Sequence, residues 1–378
     1  MRHLALLALR RSRAGVKCLV QLLLLINEGL SRAESSLMLC EPNGERMEPA
    51  DTLTLPPVVE TTENALRRVG VEIEFMGLEA QQAAAIVRAA VDGRTVRISD
   101  YEFVVETADC GDWKVERDQQ LLKEMGRQHS SKEQLTFMES AAEAALRAGS
   151  RALVPLELVG PPLPMAALEK FQKVVDALAG AGAIGTQDSV FYAFGLQFNP
   201  ELPALDAATI TRYLQAFCCL QDWLFDRANV DTSRQLTLYA DPFASAYIRK
   251  IIAPQYAPSL ETLIDDYLAD NPTRNRALDM LPLFSHLDAD RVQRVVDDPR
   301  VKPRPTFHYR LPNSEVGRTG WSIYTAWSDW VVVEELANSD DRLAELCERY
   351  ARHLGQPLGG ILSSWQKDVA EWLTAHRE

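Results

Sequence analysis

Apolar and polar side chains alternate one by one between residues 68 and 75, as in a strand that buries one face. Similar alternation returns in shorter runs, whereas apolar positions spaced three and four apart dominate after residue 206. The predicted strands are 68–75, 95–99, 102–106, 113–116, 152–159, 190–198 and 304–311. The predicted helices are 79–91, 130–148, 164–181, 206–228, 244–252, 259–269, 288–297, 326–337, 340–353 and 362–376. Strands that cluster early, with helices interleaved and then dominant, indicate an α+β fold: an antiparallel sheet with helices packed on one side.

The first 66 residues have a different pattern. Basic residues precede an apolar run at 18–26, which is too short to cross a bilayer as a helix. This order resembles a signal peptide, although no A-x-A cleavage site follows it; a start of translation at Met47 is the alternative. We therefore expect residues 1–66 to be a poorly structured extension, or a stretch upstream of the true start, and residues 67–378 to form one domain with a helical C-terminal part.

The net charge indicates which binding partners the protein favours, and the spacing of its cysteines bears on metal sites and disulfides. The formal net charge is −13 at pH 7, so the protein should repel nucleic-acid phosphates and anionic lipid and favour metal ions and amines. None of the six cysteines has C-x-x-C spacing to another. This spacing argues against a zinc site or a disulfide framework and for reduced thiols in a cytoplasmic protein. We expect neither nucleic acid nor a membrane as a partner.

Two carboxylates share one face of the first predicted strand. In the segment R-V-G-V-E-I-E-F, alternation directs Glu72 and Glu74 to one face and the apolar side chains to the other. Neighbouring carboxylates repel each other unless a divalent cation lies between them, so the pair is a candidate metal site. The alternative is the solvated outer face of an antiparallel strand.

A third carboxylate, Glu157, interrupts the apolar stretch V-P-L-E-L-V-G-P-P-L. A lone charge in such a strand is costly to bury unless it is paired or ligates a metal. The alternative is a glutamate on an edge strand that reaches water.

Two later strands also carry polar side chains that suit a binding site. Gln197 and Asn199 share a face, where amide oxygens can ligate magnesium or bind a substrate; a plain polar face is the alternative. Arg310 follows His308 on one face of the strand at 304–311. A guanidinium suits phosphoryl and carboxylate oxygens, and the alternative is an arginine paired with a structural acid.

These segments, in this order, resemble the amidoligase family and its relatives, the glutamate–cysteine ligases and glutamine synthetase. Residues 70–75 match the family's opening strand, G-x-E-x-E-F, and residues 157–163 match its glutamate strand, which ends in P-P-L. Between them the family has a tryptophan followed by an aspartate, which Trp113 and Asp118 resemble here.

The resemblance covers residues 68–313 and the helical tail at 327–350, with two departures from the family's pattern. Gln197 and Asn199 stand where the family usually has histidines, and His308 stands where it usually has glutamate. These positions contact metal or nucleotide in such enzymes, so the departures bear on activity.

The resemblance implies a glutamine-synthetase-like catalytic domain that joins a carboxylate to an amine. The reaction would use ATP and Mg²⁺ and pass through an acyl phosphate. The implied metal ligands are Glu72, Glu74 and Glu157. The implied nucleotide contacts are Gln197, Asn199, His308 and Arg310. The implied catalytic residues are Arg310, which would stabilise the transferring phosphoryl group, and Asp118, which would assist the amine or the substrate.

The implied partners are small-molecule or peptide carboxylates and amines. The sequence leaves the oligomeric state open, and a homo-oligomer is one option because relatives often assemble. No G-x-x-x-x-G-K-[S/T] loop is present, which disfavours a P-loop enzyme. The substitutions at 197, 199 and 308 favour an alternative, a catalytically inactive relative that binds a peptide or nucleotide as a scaffold. A metal-dependent hydrolase that uses the same carboxylates is a second alternative.

Overall fold

The computed structural model describes residues 52–117, 155–186, 194–228, 240–356 and 364–376. In these parts of the chain, every helix is too short or too polar to cross a bilayer.

The central strand of the fold is β1, Arg68–Phe75. Its apolar side chains alternate as predicted, and Val71, Ile73 and Phe75 are at most 1% exposed. The intervening side chains, including Glu72 and Glu74, are partly exposed on the opposite face. One side of the strand therefore contributes to the core, and the other remains available for polar chemistry.

Nine strands form one antiparallel sheet in the described residues. The other strands are β2 (Arg94–Arg97), β3 (Glu102–Glu106), β4 (Trp113–Arg117), β5 (Leu156–Val159), β6 (Leu163–Pro164), β7 (Leu196–Pro200), β8 (Leu278–Asp279) and β9 (His308–Tyr309). Their order across the sheet is β2-β3-β4-β5-β1-β7-β9-β8, and β6 pairs with the start of β1. All of these pairs are antiparallel.

Ten α-helices accompany the sheet in the described residues. They are α1 (Ala80–Val91), α2 (Glu169–Gly180), α3 (Ala207–Arg227), α4 (Ser245–Ile251), α5 (Leu260–Asp270), α6 (Leu281–Leu287), α7 (Ala289–Gln293), α8 (Ile323–Ala337), α9 (Asp340–Gly355) and α10 (Trp365–Ala375). Helix α3 begins where the Asp206 carboxylate accepts a hydrogen bond from the Thr209 amide, 2.8 Å away. The predicted α+β class is confirmed.

Helices cover the apolar face of the sheet through aromatic contacts. Helix α2 packs on β4, where the rings of Phe171 and Trp113 stack with centroids 5.5 Å apart. At the other end of the sheet, Tyr309 of β9 lies between Phe217 of α3 and Trp330 of α8, at 6.1 and 5.3 Å. Such rings bury large apolar areas, so the helical layer stabilises the sheet through its apolar face. The polar side chains of the strands lie on the opposite face.

The sequence patterns did not predict two short elements, β8 and α6. Strand β8 has two residues, which are too few to show a period. Helix α6 is buried on nearly all sides, so it has no polar face to reveal a helical period. The predicted strand 304–311 is only two residues long, since Pro303 and Pro305 lack the N–H groups that a ladder needs. The predicted helix at 164–181 begins at Glu169, because residues 163–164 pair with β1.

Two other predictions fall wholly or partly outside the described residues. The predicted helix 130–148 lies outside them. Of the predicted extension 1–66, only residues 52–66 are described, and there the Thr54 carbonyl accepts a hydrogen bond of 2.8 Å from Trp327 Nε1.

A buried ion pair joins the segment before β1 to the helical layer. The guanidinium of Arg67 donates two parallel hydrogen bonds to Glu334 of α8, at 2.7 and 2.8 Å, and both side chains are completely buried. Glu334 also accepts from Trp330 Nε1 at 2.8 Å and from Tyr213 OH at 3.1 Å. Because the Glu334 carboxylate contacts the guanidinium directly inside the core, it compensates the charge of Arg67.

We expect the Glu334→Gln substitution to lower the free energy of unfolding by about 3–5 kcal/mol, because it leaves the buried charge of Arg67 without a counter-ion. Urea unfolding followed by circular dichroism measures this loss. The control is Glu335→Gln on the exposed side of the same helix, which should change stability by less than about 0.5 kcal/mol. Equal midpoints for the two variants would show that Glu334 does not stabilise the fold through its charge.

Candidate functional site

Four glutamates line up across neighbouring strands on the face of the sheet opposite the helices. The register pairs Glu74 of β1 with Glu157 of β5, Glu157 with Glu116 of β4, and Glu116 with Glu102 of β3. We call these four residues the glutamate row. Lys114 Nζ lies 2.7 Å from Glu116 and 3.4 Å from Glu102, so it compensates the outer half of the row. The structure thus brings Glu157 directly opposite Glu74, although the two are far apart in the sequence.

The position of β5 tests one interpretation of Glu157, the edge strand; the side chain itself is partly exposed. Strand β5 pairs with β4 on one side and β1 on the other, so it is an interior strand. The alternative of an edge-strand glutamate is wrong. Neighbouring carboxylates on adjacent interior strands repel each other, which is an arrangement that a cation relieves.

Glu72 and Glu74 have different surroundings although both lie on the polar face of β1. Glu74 accepts a hydrogen bond of 2.7 Å from the Gly195 amide. One oxygen of Glu72 accepts a hydrogen bond of 2.7 Å from Asn199 Nδ2 and lies 3.6 Å from a guanidinium nitrogen of Arg304. Glu72 therefore lies between the glutamate row and a group of basic side chains.

The oxygen atoms on this face are of the kinds that ligate magnesium. Carboxylate and amide oxygens are the ligands that Mg²⁺ prefers, and it is often held by one or two carboxylates together with substrate phosphates. Among the described residues, no group of three His, Cys, Asp or Glu side chains is arranged to hold a metal ion. The described side chains thus fit an ion that arrives with phosphate better than a metal cage made of protein ligands alone.

A chain of hydrogen bonds connects β1, β7 and β9. Gln197 Nε2 donates to Asn199 Oδ1 at 2.7 Å, and Asn199 Nδ2 donates to Glu72. Gln197 Nε2 also lies 3.2 Å from His308 Nδ1, and an Arg310 nitrogen lies 3.4 Å from the same ring atom. The predicted residues Gln197, Asn199 and His308 are all buried here. They are held by one another rather than facing bulk water.

Burial lowers the pKa of His308 well below its ordinary value of 6.5, and repulsion from Arg310, Arg304 and Arg274 lowers this pKa further. The imidazole is therefore neutral at pH 7.

We expect the His308→Gln variant to lose less stability on acidification than the wild-type protein. Below about pH 6.5 the unfolded chain binds a proton at His308 that the folded chain does not bind, so the free energy of unfolding falls with decreasing pH, by up to about 1.4 kcal/mol per pH unit. Urea unfolding of both proteins at about pH 7 and about pH 5 measures the difference. Parallel pH profiles would contradict a neutral His308.

Arg310 is paired with a buried acid that the sequence patterns did not single out. Asp279 of β8 is completely buried; one of its oxygens accepts a hydrogen bond of 3.1 Å from Arg310, and the other accepts from the Leu281 amide at 3.0 Å. Burial raises the pKa of Asp279, whereas the charges of Arg310 and Arg274 act in the opposite direction. The alternative of an arginine paired with a structural acid is therefore what the structure shows for Arg310.

Several residues of this face were missed by sequence reasoning. They are Glu102, Lys114, Glu116, Arg274, Asp279 and Arg304. Asp279 had a usable signal, because it interrupts the apolar stretch A-L-D-M-L as Glu157 interrupts its own strand. Arg274 lies in a loop without a pattern, whereas Arg304 is the first residue of the predicted strand 304–311 and shares the alternating positions of His308 and Arg310. Asp118, the predicted catalytic aspartate, lies outside the described residues.

Comparison with known families gives one match for this chain. The family model described as "Putative amidoligase enzyme" matches residues 65–332, which include β1, the glutamate row, β9 and Arg310. Comparison with curated proteins and with solved structures gives no match.

Proposed function

The chain belongs to the amidoligase family, and from this membership we propose that it is a ligase that joins a carboxylate to an amine with ATP and Mg²⁺. The direct pairing of Glu74 with Glu157 on the polar face of the sheet is the observation that carries this proposal. Strand β7 connects β1 to β9, which Arg310 directly follows. Family membership indicates a ligase. The need for ATP and Mg²⁺ and a glutamine-synthetase-like catalytic domain are parts of the proposal.

The chemistry of this reaction explains why such a site needs both carboxylates, which hold the cation, and positively charged side chains, which bind anionic groups. A carboxylate oxygen is a poor leaving group at neutral pH, so one oxygen of the acid first attacks the terminal phosphorus of ATP, and ADP departs. The amine then attacks the carbonyl carbon of the acyl phosphate, phosphate departs, and the amine loses a proton. Transferred phosphoryl groups carry charge on several oxygens, which must be neutralised throughout.

The glutamate row and Glu72 are suited to the cation side of this reaction. When bound, Mg²⁺ supplies a Lewis acid that neutralises phosphate oxygens. Of the predicted ligands, Glu74 and Glu157 would hold it as a directly paired set of two carboxylates together with substrate phosphates, with Glu72 on the same face of β1 and Glu116 adjacent to Glu157 in the glutamate row. The Gly195 amide and the Asn199 amide group each bind one of these carboxylates and so fix its orientation.

The basic side chains at β9 are suited to the anion side. Arg310 keeps about a fifth of its side chain exposed, at 18%, while Asp279 fixes the guanidinium from behind. A guanidinium so oriented can bind two oxygens of a phosphoryl or carboxylate group at once. In the proposed reaction Arg310 stabilises the transferring phosphoryl group, and the buried Gln197, Asn199 and His308 support the nucleotide side of the site.

A catalytically inactive scaffold is the second candidate, and one observation favours it. Glu72, Asn199, Gln197 and His308 satisfy one another through a continuous chain of hydrogen bonds, and Arg310 has its own partner in Asp279. A binding protein could keep this arrangement without turnover. Only a measurement of turnover separates the two candidates.

The test is magnesium-dependent ADP release by the full chain, measured with a panel of carboxylic acids in the presence and absence of amines and amino acids. We expect ADP release to rise when a matching acid and amine are both present, with an amide product in equal amount by mass spectrometry. Chelation of magnesium should abolish both signals. ADP release without any amide would favour a hydrolase, and nucleotide binding without ADP release would favour the scaffold.

A further inference from the structure

The carboxylate of Glu72 fixes the direction of the hydrogen-bond chain that ends at His308. A carboxylate can only accept, so Asn199 must present its Nδ2 group to Glu72, and its Oδ1 atom must face Gln197. Gln197 must then donate through Nε2, which is also the atom that lies 3.2 Å from His308 Nδ1. Reversing either amide would place an oxygen against an oxygen.

This direction assigns the proton on the imidazole of His308. Its Nδ1 atom faces two donors, Gln197 Nε2 at 3.2 Å and an Arg310 nitrogen at 3.4 Å, and a guanidinium cannot accept. Nδ1 is therefore the unprotonated, accepting nitrogen, and the neutral ring carries its proton on Nε2. His308 Nε2 is buried and has no hydrogen-bond partner among the described residues.

Two arginines next to His308 also have buried N–H groups without an acceptor. Arg274 Nε and Arg310 Nε have no hydrogen-bond partner in the described parts of the chain, although their side chains remain 20% and 18% exposed. Both guanidiniums face the same oxygen of Asp279, with nitrogen–oxygen distances of 4.0 and 3.1 Å. A buried donor without a partner destabilises a fold until water or a ligand satisfies it. Here three such donors, from His308, Arg274 and Arg310, belong to one group of side chains around Asp279 and His308.

The charges around this group do not cancel. Among the described residues, Arg274, Arg304 and Arg310 contribute three positive charges, whereas the acids that they face, Asp279 and Glu72, contribute two negative charges. The Asp298–Arg300 ion pair, which also lies near Arg274, adds no net charge. His308 is neutral and adds a donor without adding charge. In the part of the chain that the structure describes, this partly buried group has surplus positive charge and three unsatisfied N–H donors, which favours an oxyanion as its ligand.

We propose that Arg274, His308 and Arg310 form an oxyanion subsite, in which the Glu72–Asn199–Gln197 chain holds the His308 Nε2–H as a donor and Asp279 orients the two guanidiniums. The ligand is an oxyanion, either a phosphate group or the carboxylate of the acid that is to be joined. The proposal deepens the ligase site, and its place in a reaction rests on the proposed function. Gln197 and Asn199 then position His308 and do not themselves contact the metal or the nucleotide.

The first test is anion binding to the full chain by calorimetry, without ATP, magnesium or amine, with inorganic phosphate in one arm and succinate in the other. We expect at least one anion to bind, and Arg274→Gln to weaken that binding about tenfold or more, as for loss of a hydrogen bond to a charged group. Arg274→Lys should weaken it as well, because it keeps the charge but lacks the Nε–H. The control is Arg94→Gln, an exposed guanidinium on β2 at the far end of the sheet, which should leave the affinity unchanged.

The arms identify the ligand class. Binding of phosphate alone assigns the subsite to a phosphoryl group, binding of succinate alone assigns it to the acid, and binding of both supports a general oxyanion subsite. Binding of neither anion, or wild-type affinity in a folded Arg274→Gln protein, would overturn the proposal. Wild-type affinity in Arg274→Lys would overturn the donor role of the guanidinium.

The second test needs no substitution and uses nitrogen NMR of histidine-labelled protein. We expect the His308 resonances to show an unprotonated Nδ1 and a protonated Nε2, with Nε2 shifting when the bound anion is added. A protonated Nδ1 would overturn the proposal. Because neither test uses turnover, their failure beside a working ligase would reject only the subsite, whereas anion binding without any amide product would reject the ligase.

Discussion

Replacement of Glu157 by glutamine is expected to abolish amide formation while the sheet stays folded. Glutamine keeps the shape of the side chain but removes the charge that would hold Mg²⁺ opposite Glu74. Loss of a metal-held phosphate costs several kcal/mol of transition-state stabilisation, which corresponds to a decrease in rate of about 10³-fold or more. Glu74→Gln should behave in the same way, since its Oε1 can still accept from the Gly195 amide.

Stability separates this outcome from simple unfolding. Like charges that face each other across a pair of strands destabilise a sheet by about 0.2–1 kcal/mol, whereas Glu74 and Glu157 each have other partners. Glutamine keeps an accepting oxygen, so each substitution should change the free energy of unfolding by less than about 1 kcal/mol. The measurements are magnesium-dependent ADP release and urea unfolding of each variant. Glu169→Gln on the exposed surface of α2 is the matched control and should keep full activity. Full activity in Glu157→Gln or Glu74→Gln would exclude both residues as metal ligands.

The sequence predicted which face of a strand is buried better than it predicted which strands pair with each other. A period of two is enough to direct Glu72 and Glu74 away from the core, because the burial of Val71 and Ile73 leaves only one face for them. The lone Glu157 in an apolar strand likewise indicated a special position. Whether Glu157 lies opposite Glu74 depends on the register of β5 with β1. Register is set by distant packing, so no local pattern contains it.

The arginine side of the site was harder to predict for a related reason. Arg274 comes from the loop before β8, and the pairing of β8 with β9 brings it near Arg310. Arg304 precedes β9, and its place in the site follows from its contact with Glu72 across the sheet. The direction of the hydrogen-bond chain also lies beyond sequence reasoning. It follows from a cross-strand contact between Asn199 and Glu72 and therefore requires coordinates. The departures at 197, 199 and 308 look like lost ligands in the sequence, whereas in the structure they form one connected network.

Arg310→Lys is expected to lower the rate of ADP release about 10²–10³-fold, the loss seen when one oriented donor to a developing charge is removed. Lysine keeps the positive charge but cannot contact Asp279, His308 and a phosphoryl oxygen at the same time, because it lacks the planar fork of the guanidinium. The measurement is the rate of ADP release at saturating substrates, compared with that of Arg94→Lys on exposed β2. If charge alone were sufficient, Arg310→Lys would keep a rate within a few-fold of wild type, and Arg310 would then have no oriented role in phosphoryl transfer. A loss confined to Arg310→Lys, with the folded state intact, would instead tie the turnover to the geometry that the buried carboxylate of Asp279 imposes on this side chain.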